Sequence, residues 1–249
     1  MYTRELMVLP SDASCQGTIK LHSLLDYFQD TAELAVNDIE GPATELAANG
    51  YAWVLTKYEI DFTGSLPVLD EKFFIHTFHD PSHGYNTLRV FQVEAQNGQP
   101  LVYAKTSWLL LDLAAGRPVK AAAHIPGISS RDTQSINPEF KDIPDNENEN
   151  EFSVSERTVK FHDLDYNSHV NNAVYFKWIF DESPVDFITH ELKAISASFR
   201  SGAKFNEKVM IRITKSETNE NTFMYKIMRE NVKKPCANFM CVWQLKKEA

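Results

Sequence analysis

The chain is expected to fold as an α+β protein made of two tandem copies of one domain, each an antiparallel sheet wrapped around a long central helix. Three observations carry this expectation. One helix pattern followed by alternating strand patterns occurs twice, at an offset of about 135 residues. Asp70-Glu71-Lys72-Phe73 then matches Asn206-Glu207-Lys208-Val209, and Trp108 falls near Trp243. Hairpin turns join the strand patterns and leave no room for the crossover helices of a parallel sheet. A period this long marks duplicated domains, because solenoid repeats run to roughly 20–50 residues.

In the first half, "IKLHSLLDYFQDTAELA" sets Leu21, Leu24, Leu25, Phe28, Ala32 and Ala35 at helical spacing, with Ser23, Asp26, Asp30 and Glu33 opposite. Strands follow. "WVLTKYEIDF" and "KFFIHTF" alternate, and "TLRVFQVEA" turns at Asn97-Gly98 into "PLVYAKTSWLLLD" as a long hairpin. From Gly127 to Arg157 the chain is poor in large apolar residues and carries an Asn/Glu run. This sets domains at 1–126 and 154–249, with a linker over 127–153. The second half opens on a helix from His169 to Pro184 that is apolar almost all round, with Lys177 and Asp181 as a narrow i,i+4 polar stripe. Such a helix is buried. "ISASFRSGAKFNEKVMIRITK" gives two strands and "TFMYKIMRENVKKPCANFMCVWQLKK" another hairpin.

At 249 residues, 43% apolar and 24% charged, the composition is that of a soluble globular protein. No apolar run reaches the ~18–20 residues a bilayer span needs. The N-terminal "MYTRELMVLPSD" lacks a basic-then-apolar signal pattern, so a cytoplasmic location is expected. Cys15, Cys236 and Cys241 are odd in number, lack ligand spacing and read as reduced thiols. The net charge of -9 is uneven: residues 1–150 hold 10 Lys/Arg against 21 Asp/Glu, and residues 151–249 hold 15 against 13. So acidic a chain is a poor partner for nucleic acid.

Just before the buried helix, "FHDLDYNSHVNN" spaces Asp163, Asp165, Asn167 and His169 at every second position. A calcium loop would need Gly at its sixth position and Glu at its twelfth, where this chain has Ser168 and Val174. A zinc site would need a second His or Cys at ligand spacing. No metal or other cofactor is expected. Two readings stand. Asn167 or Ser168 caps the following helix and His169 is a structural hydrogen-bonder, or the polar residues form a catalytic set. In an extended segment Asp165, Asn167 and His169 would project together beside a helix N-terminus, whose N–H groups favour developing negative charge. A base, an amide and an imidazole in that place suit hydrolysis of an acyl compound. The large apolar residues around them suit a hydrocarbon substrate.

The string "DLDYNSHVNNAVYFKWIFDESP" resembles the signature of the acyl-acyl-carrier-protein thioesterases, which have two tandem hotdog domains. "LLDYFQDTAELA", "GYAWVLTKYEIDF", Pro67 and "KTSWLLLD" follow the family's order, so the resemblance covers nearly the whole chain. A simpler form, Asp followed by H-V-N-N, also occurs in single-hotdog acyl-CoA thioesterases, and the double length favours the carrier-protein branch. The resemblance implies hydrolysis of fatty acyl-carrier-protein thioesters to free fatty acid; the oligomeric state stays open between monomer and homodimer, because two fused hotdogs can satisfy internally what single ones satisfy by dimerising. The alternatives are an acyl-CoA thioesterase and a double hotdog that binds acyl chains without cleaving them. It further implies that the first domain houses the acyl tail, with the helix from Leu21 to Ala35 and the Trp53 region shaping the pocket.

By the same resemblance Asp165, Asn167 and His169 match the family's catalytic residues, and Asp163 matches none. Asp165 would activate water or attack the thioester carbonyl, while Asn167 and His169 orient the reacting groups. Backbone N–H groups of Val170 and Asn171 would hold the oxyanion. One departure stands out. In "SFRSGAKF" Arg200 is kept, but the position of the family's functional Glu falls on Gly202 and that of its Cys on Ala203. A Glu introduced at 202 is expected to be tolerated without large gain. An acidic carrier protein would dock on the more basic second half, with Arg200, Lys204, Lys208, Lys233 and Lys234 as candidate contacts.

Overall fold

Both halves of the chain share an edge strand, a long helix and four further strands laid down in the same spatial order, to which the first adds two short helices and a short strand. The computed structural model describes residues 1–249 except 41–42, 126, 130–132, 145–150, 218 and 247–249, together with the side chains of 38–40, 43 and 151–152. The first unit spans Met1–Phe140 and the second Lys141–Ala249.

The first unit contains β1 (Tyr2–Met7), α1 (Leu21–Glu40), α2 (Ala43–Ala48), β2 (Tyr51–Phe62), β3 (Lys72–His83), β4 (Asn86–Ala95), β5 (Pro100–Asp112), β6 (Arg117–Val119) and α3 (Ala121–His124). Its sheet runs β1-β3-β4-β5-β2 with antiparallel neighbours, and β6 pairs with β5. The second unit contains β7 (Glu151–Thr158), α4 (Asn172–Asp181), β8 (His190–Phe199), β9 (Lys208–Lys215), β10 (Thr222–Arg229) and β11 (Ala237–Leu245). Its order is β7-β9-β10-β11-β8, again antiparallel. Element by element, β7 to β11 repeat β1 to β5, as the duplicated patterns require.

The two helices meet their sheets differently. α1 buries Leu24, Leu25, Phe28, Ala35 and Val36, and Phe28 stacks on Phe91 of β4 at 4.7 Å. Ser23, expected on the solvent side, is buried with them, as is Thr31. The Thr31 hydroxyl donates to Tyr27 O at 2.6 Å, which satisfies it without leaving the helix. α4 buries Ala173, Tyr175, Phe176, Trp178 and Ile179. Phe176 meets Phe239 edge-on at 5.0 Å, and Phe180 meets Trp243 at 6.0 Å. Each such aromatic contributes roughly 1.5–3 kcal/mol by leaving water. The Lys177–Asp181 pair forms at 2.9 Å, and Arg157 of β7 reaches Asp181 and Glu182 at the helix end.

Three sequence expectations are corrected. α4 starts at Asn172, three residues after His169, because Asn171 is the cap: its side chain accepts from Ala173 N at 2.9 Å. Neither Asn167 nor Ser168 fills that place. β7 begins at Glu151, inside the expected linker, and pairs with β9. Residues 133–140 belong to the first unit: Ile136 and Phe140 pack on Phe78, Leu88 and Val90. Ile136 N–H donates to the Asp80 carboxylate at 2.9 Å, and Lys105 reaches Asn137 O at 3.3 Å with its ammonium over the Phe140 ring. Burial raises the Asp80 carboxyl, but hydrogen bonds from Ser82, Ile136 and His83 outweigh it and hold it at about 2. The Asn/Glu run at 145–150 lies outside the described residues.

On α1, the Asp26 carboxyl is pushed up to about 6, first by burial and then by Asp30 and Asp12. The folded state therefore keeps this proton to higher pH than the unfolded chain, whose value is 3.8. Stability from this group is full below the unfolded value and is lost as pH rises through the folded one. Asp26→Asn should raise the melting temperature at pH 7.5 and leave it unchanged near pH 3.5. The gain should be on the order of 1 kcal/mol after solvent screening of a part-exposed group. An equal gain at both pH values would show that ionisation is not its cause.

Candidate active site

Between Leu164 and Val170 the chain closes a small hairpin. These two residues form an antiparallel bridge, Asp165 N donates to His169 O at 2.8 Å, and Ser168 N donates to Asp165 O at 3.0 Å. Ser168 has φ of +60°. A tight turn followed by one left-handed residue is a common three-residue hairpin loop, and Gly usually takes the left-handed place. Ser168 holds it at a strain of order 1 kcal/mol. Asp165 opens the turn, where Asp is favoured because its side chain can accept from backbone N–H groups two residues on. Its Oδ1 accepts from Asn167 N at 2.8 Å and His169 N at 3.3 Å.

The extended segment expected here is thus a turn. Asp165 and His169 face one another as a cross-strand pair, and such pairs point to one side of a ribbon. Asn167 sits at the tip and is exposed. Among the described residues, Asp165 Oδ2, the Asn167 side-chain amide and the His169 ring have no protein hydrogen-bond partner. Asp163 serves the local fold: its Oδ2 accepts from Lys160 N at 2.7 Å.

The expected oxyanion donors are already engaged. Val170 N donates to Ala203 O and Asn171 N to Asp163 O, each at 2.9 Å. Within the first turn of α4, Ala173 N and Val174 N are both satisfied by Asn171. Asn172 N–H is left without a protein acceptor among the described residues.

Gly202, where a carboxylate was sought, has no room for one. A Cβ on Gly202 would lie 2.8 Å from His169 Cβ and Cδ2 and 2.9 Å from Cγ. The imidazole itself fills the gap, so the expectation that Glu would be tolerated at 202 is overturned on steric grounds. The next residue is fixed from two sides: Ala203 N–H donates to the Tyr175 hydroxyl at 2.9 Å, while Ala203 O takes Val170 N–H. Tyr175 was legible only as a core helix residue. Cys236 sits nearby as a buried thiol donating to Ile227 O at 3.0 Å, and burial pushes it up to about 11, away from thiolate chemistry. All three cysteines are free.

The five basic candidates are exposed and lie at one end of the second unit's sheet, where β8 and β10 finish and β9 and β11 begin. Gly202 lies in the β8–β9 loop at that end. Lys208 pairs with Glu156 at 3.0 Å. Arg200, Lys204, Lys233 and Lys234 have no ion pair among the described residues. No group of three or more His, Cys, Asp or Glu side chains among the described residues could hold a metal. No helix among them is long and apolar enough to cross a membrane.

Residues 1–126 match the family described as acyl-ACP thioesterase N-terminal domain, and residues 146–244 match its C-terminal domain. A chloroplastic acyl-[acyl-carrier-protein] hydrolase of Cuphea viscosissima is 23% identical over 224 residues, covering 82% of this chain and 51% of that one. The chain spans about half the length of the curated relatives it matches. Two solved structures share the fold. The 12:0-ACP thioesterase of Umbellularia californica has a TM-score of 0.83 at 15% identity, covering 98% of this chain and 94% of that one. An acyl-ACP thioesterase of Bacteroides thetaiotaomicron has a TM-score of 0.79 at 20% identity, covering 97% of each chain.

Gly202→Ala tests the packing of the imidazole. The added methyl should drive His169 into another rotamer, visible in a crystal structure of the variant, and lower stability by roughly 1–3 kcal/mol as overpacking does. A native rotamer together with a native melting temperature would refute the contact.

Proposed function

The chain belongs to the acyl-ACP thioesterase family, and we propose that it hydrolyses fatty acyl-carrier-protein thioesters to free fatty acid and carrier thiol, a step of fatty acid metabolism. One observation carries this reading: a single turn presents a carboxylate oxygen, an amide and an imidazole, none of them spent on protein partners among the described residues. Two backbone N–H groups hold Asp165 Oδ1 and so fix the direction of Oδ2.

Asp165 takes a proton from water as the oxygen attacks the thioester carbonyl. The carbon–sulfur bond then breaks, and the leaving thiolate takes the proton that Asp165 holds, which restores the carboxylate. Asn167 and His169 orient the water and the carbonyl. With Val170 and Asn171 N–H occupied, the Asn167 amide and Asn172 N–H are unspent donors beside the turn among the described residues and would hold the developing oxyanion. The exposed Arg200, Lys204, Lys233 and Lys234 offer positive charge to an acidic protein carrier, by attraction that salt would screen.

Incubation with acyl-carrier-protein and acyl-CoA of equal chain length, scored for free thiol, tests the proposal. Faster release from carrier protein supports it. Release from CoA alone moves the substrate class, and release from neither leaves an acyl-binding protein. Asp165→Asn should lower kcat at least 10²–10⁴-fold with an unchanged melting temperature, because Asn keeps an Oδ1 for the turn. Near-native turnover would remove Asp165 from the chemistry. Lys233→Glu combined with Lys234→Glu should raise KM for acyl-carrier-protein several-fold, flatten its salt dependence and leave acyl-CoA turnover unchanged. An unmoved KM would mean that these lysines only solvate the sheet.

A further inference from the structure

We propose that Arg229 is a positioning residue for His169, acting through the Ser201–Ala203 segment; the kinetic part of this proposal rests on the hydrolase reading above. The imidazole lies directly against Gly202, so the surface under the ring is backbone and not side chain. Glycine's peptide is the easiest in the chain to rotate, because no Cβ restricts its φ and ψ. A ring seated on such a residue keeps its orientation only if the peptide is held.

Arg229, the last residue of β10, holds it. One terminal nitrogen, Nη1, reaches Gly202 O at 3.5 Å, and the other, Nη2, reaches Ser201 Oγ at 3.3 Å. Nη1 also lies 3.7 Å from Glu207 Oε2, which anchors the guanidinium from the β8–β9 loop. Its Nε is buried with no hydrogen-bond partner among the described residues. The fork is turned toward the two residues beneath the imidazole. With Ala203 fixed by Tyr175 and Val170, three consecutive residues of the segment are held in place. A planar, permanently charged fork suits two acceptors at once, and a lysine could serve only one of them at a time.

The test compares Arg229→Met, Arg229→Lys and Ser201→Ala. With acyl-carrier-protein as substrate, Arg229→Met should lower kcat per folded molecule at least ten-fold, with KM within about three-fold of native. Arg229→Lys should recover part of that loss. A readout independent of activity is the His169 ring signal in protein labelled with ¹³C-histidine, assigned by its disappearance in His169→Gln. It should be single in the native protein and shifted or split in Arg229→Met. If the native protein shows that single signal but no thioesterase activity, the hydrolase reading fails, and the positioning role is then upheld by a shifted or split His169 signal in Arg229→Met. An unmoved His169 signal in Arg229→Met, or kcat within two-fold of native, overturns the proposal. Should Arg229→Met not fold, Ser201→Ala decides, because it removes one of the two anchors. Its His169 signal must then move, and a native signal refutes the role.

Discussion

One carboxylate oxygen, Asp165 Oδ1, organises the turn that carries the second unit's candidate site. By accepting from Asn167 N and His169 N it closes a turn that a left-handed Ser168 would otherwise resist. The closed turn sets His169 opposite Asp165 and delivers Val170 and Asn171 to their partners. Val170 N ties the turn to Ala203 in the β8–β9 loop, and Asn171 N ties it to Asp163 while its side chain starts α4. Hydrogen bonds therefore run unbroken from sheet loop to turn to helix. The same residue that would do chemistry with Oδ2 does structural work with Oδ1.

This arrangement also explains which polar groups stay unspent on protein partners among the described residues. Backbone donors near a helix start are usually the first suspects for binding negative charge. Here most are consumed in fixing the turn, and what remains unspent is mainly side chain. The helix beneath is apolar on nearly every face, so α4 is held by packing and leaves its polar termini to the loops around it. In the first unit, α1 has one buried face and one solvated face, and its acidic residues crowd one another, as the displaced Asp26 carboxyl shows.

Much of the fold was legible because alternation and helical spacing are strong signals over ten or more residues. β4 and β5 fall almost where the patterns put them, and the order of elements repeats as read. The edge strands β1 and β7 were missed because they are short and half polar, as edge strands usually are. Residues 133–140 read as linker because two apolar anchors, Ile136 and Phe140, are too few to show a period. The start of α4 was misplaced for a different reason. Asn167, Ser168, Asn171 and Asn172 are all competent caps, and only the bond from Asn171 to Ala173 N chooses among them. At the site, residue identities were legible but their geometry was not. Alternate spacing in a strand and a cross-strand pair both bring Asp165 and His169 to one side. The glycine at 202 was legible as a departure, while its neighbour His169 could be found only in three dimensions.

The attachment of residues 133–140 to the outer side of β3, β4 and β5 bears on any attempt to dissect the chain. A fragment ending at 126, the boundary that composition favours, would uncover Phe78, Leu88 and Val90 on a broad sheet. It would also strip the Asp80 carboxylate and the Lys105 ammonium of backbone partners that hold them in a largely dry setting. Such a fragment would be sticky and prone to aggregate, and its failure would say nothing about whether the first unit folds independently. A cut after Phe140 keeps the cover with the sheet it protects.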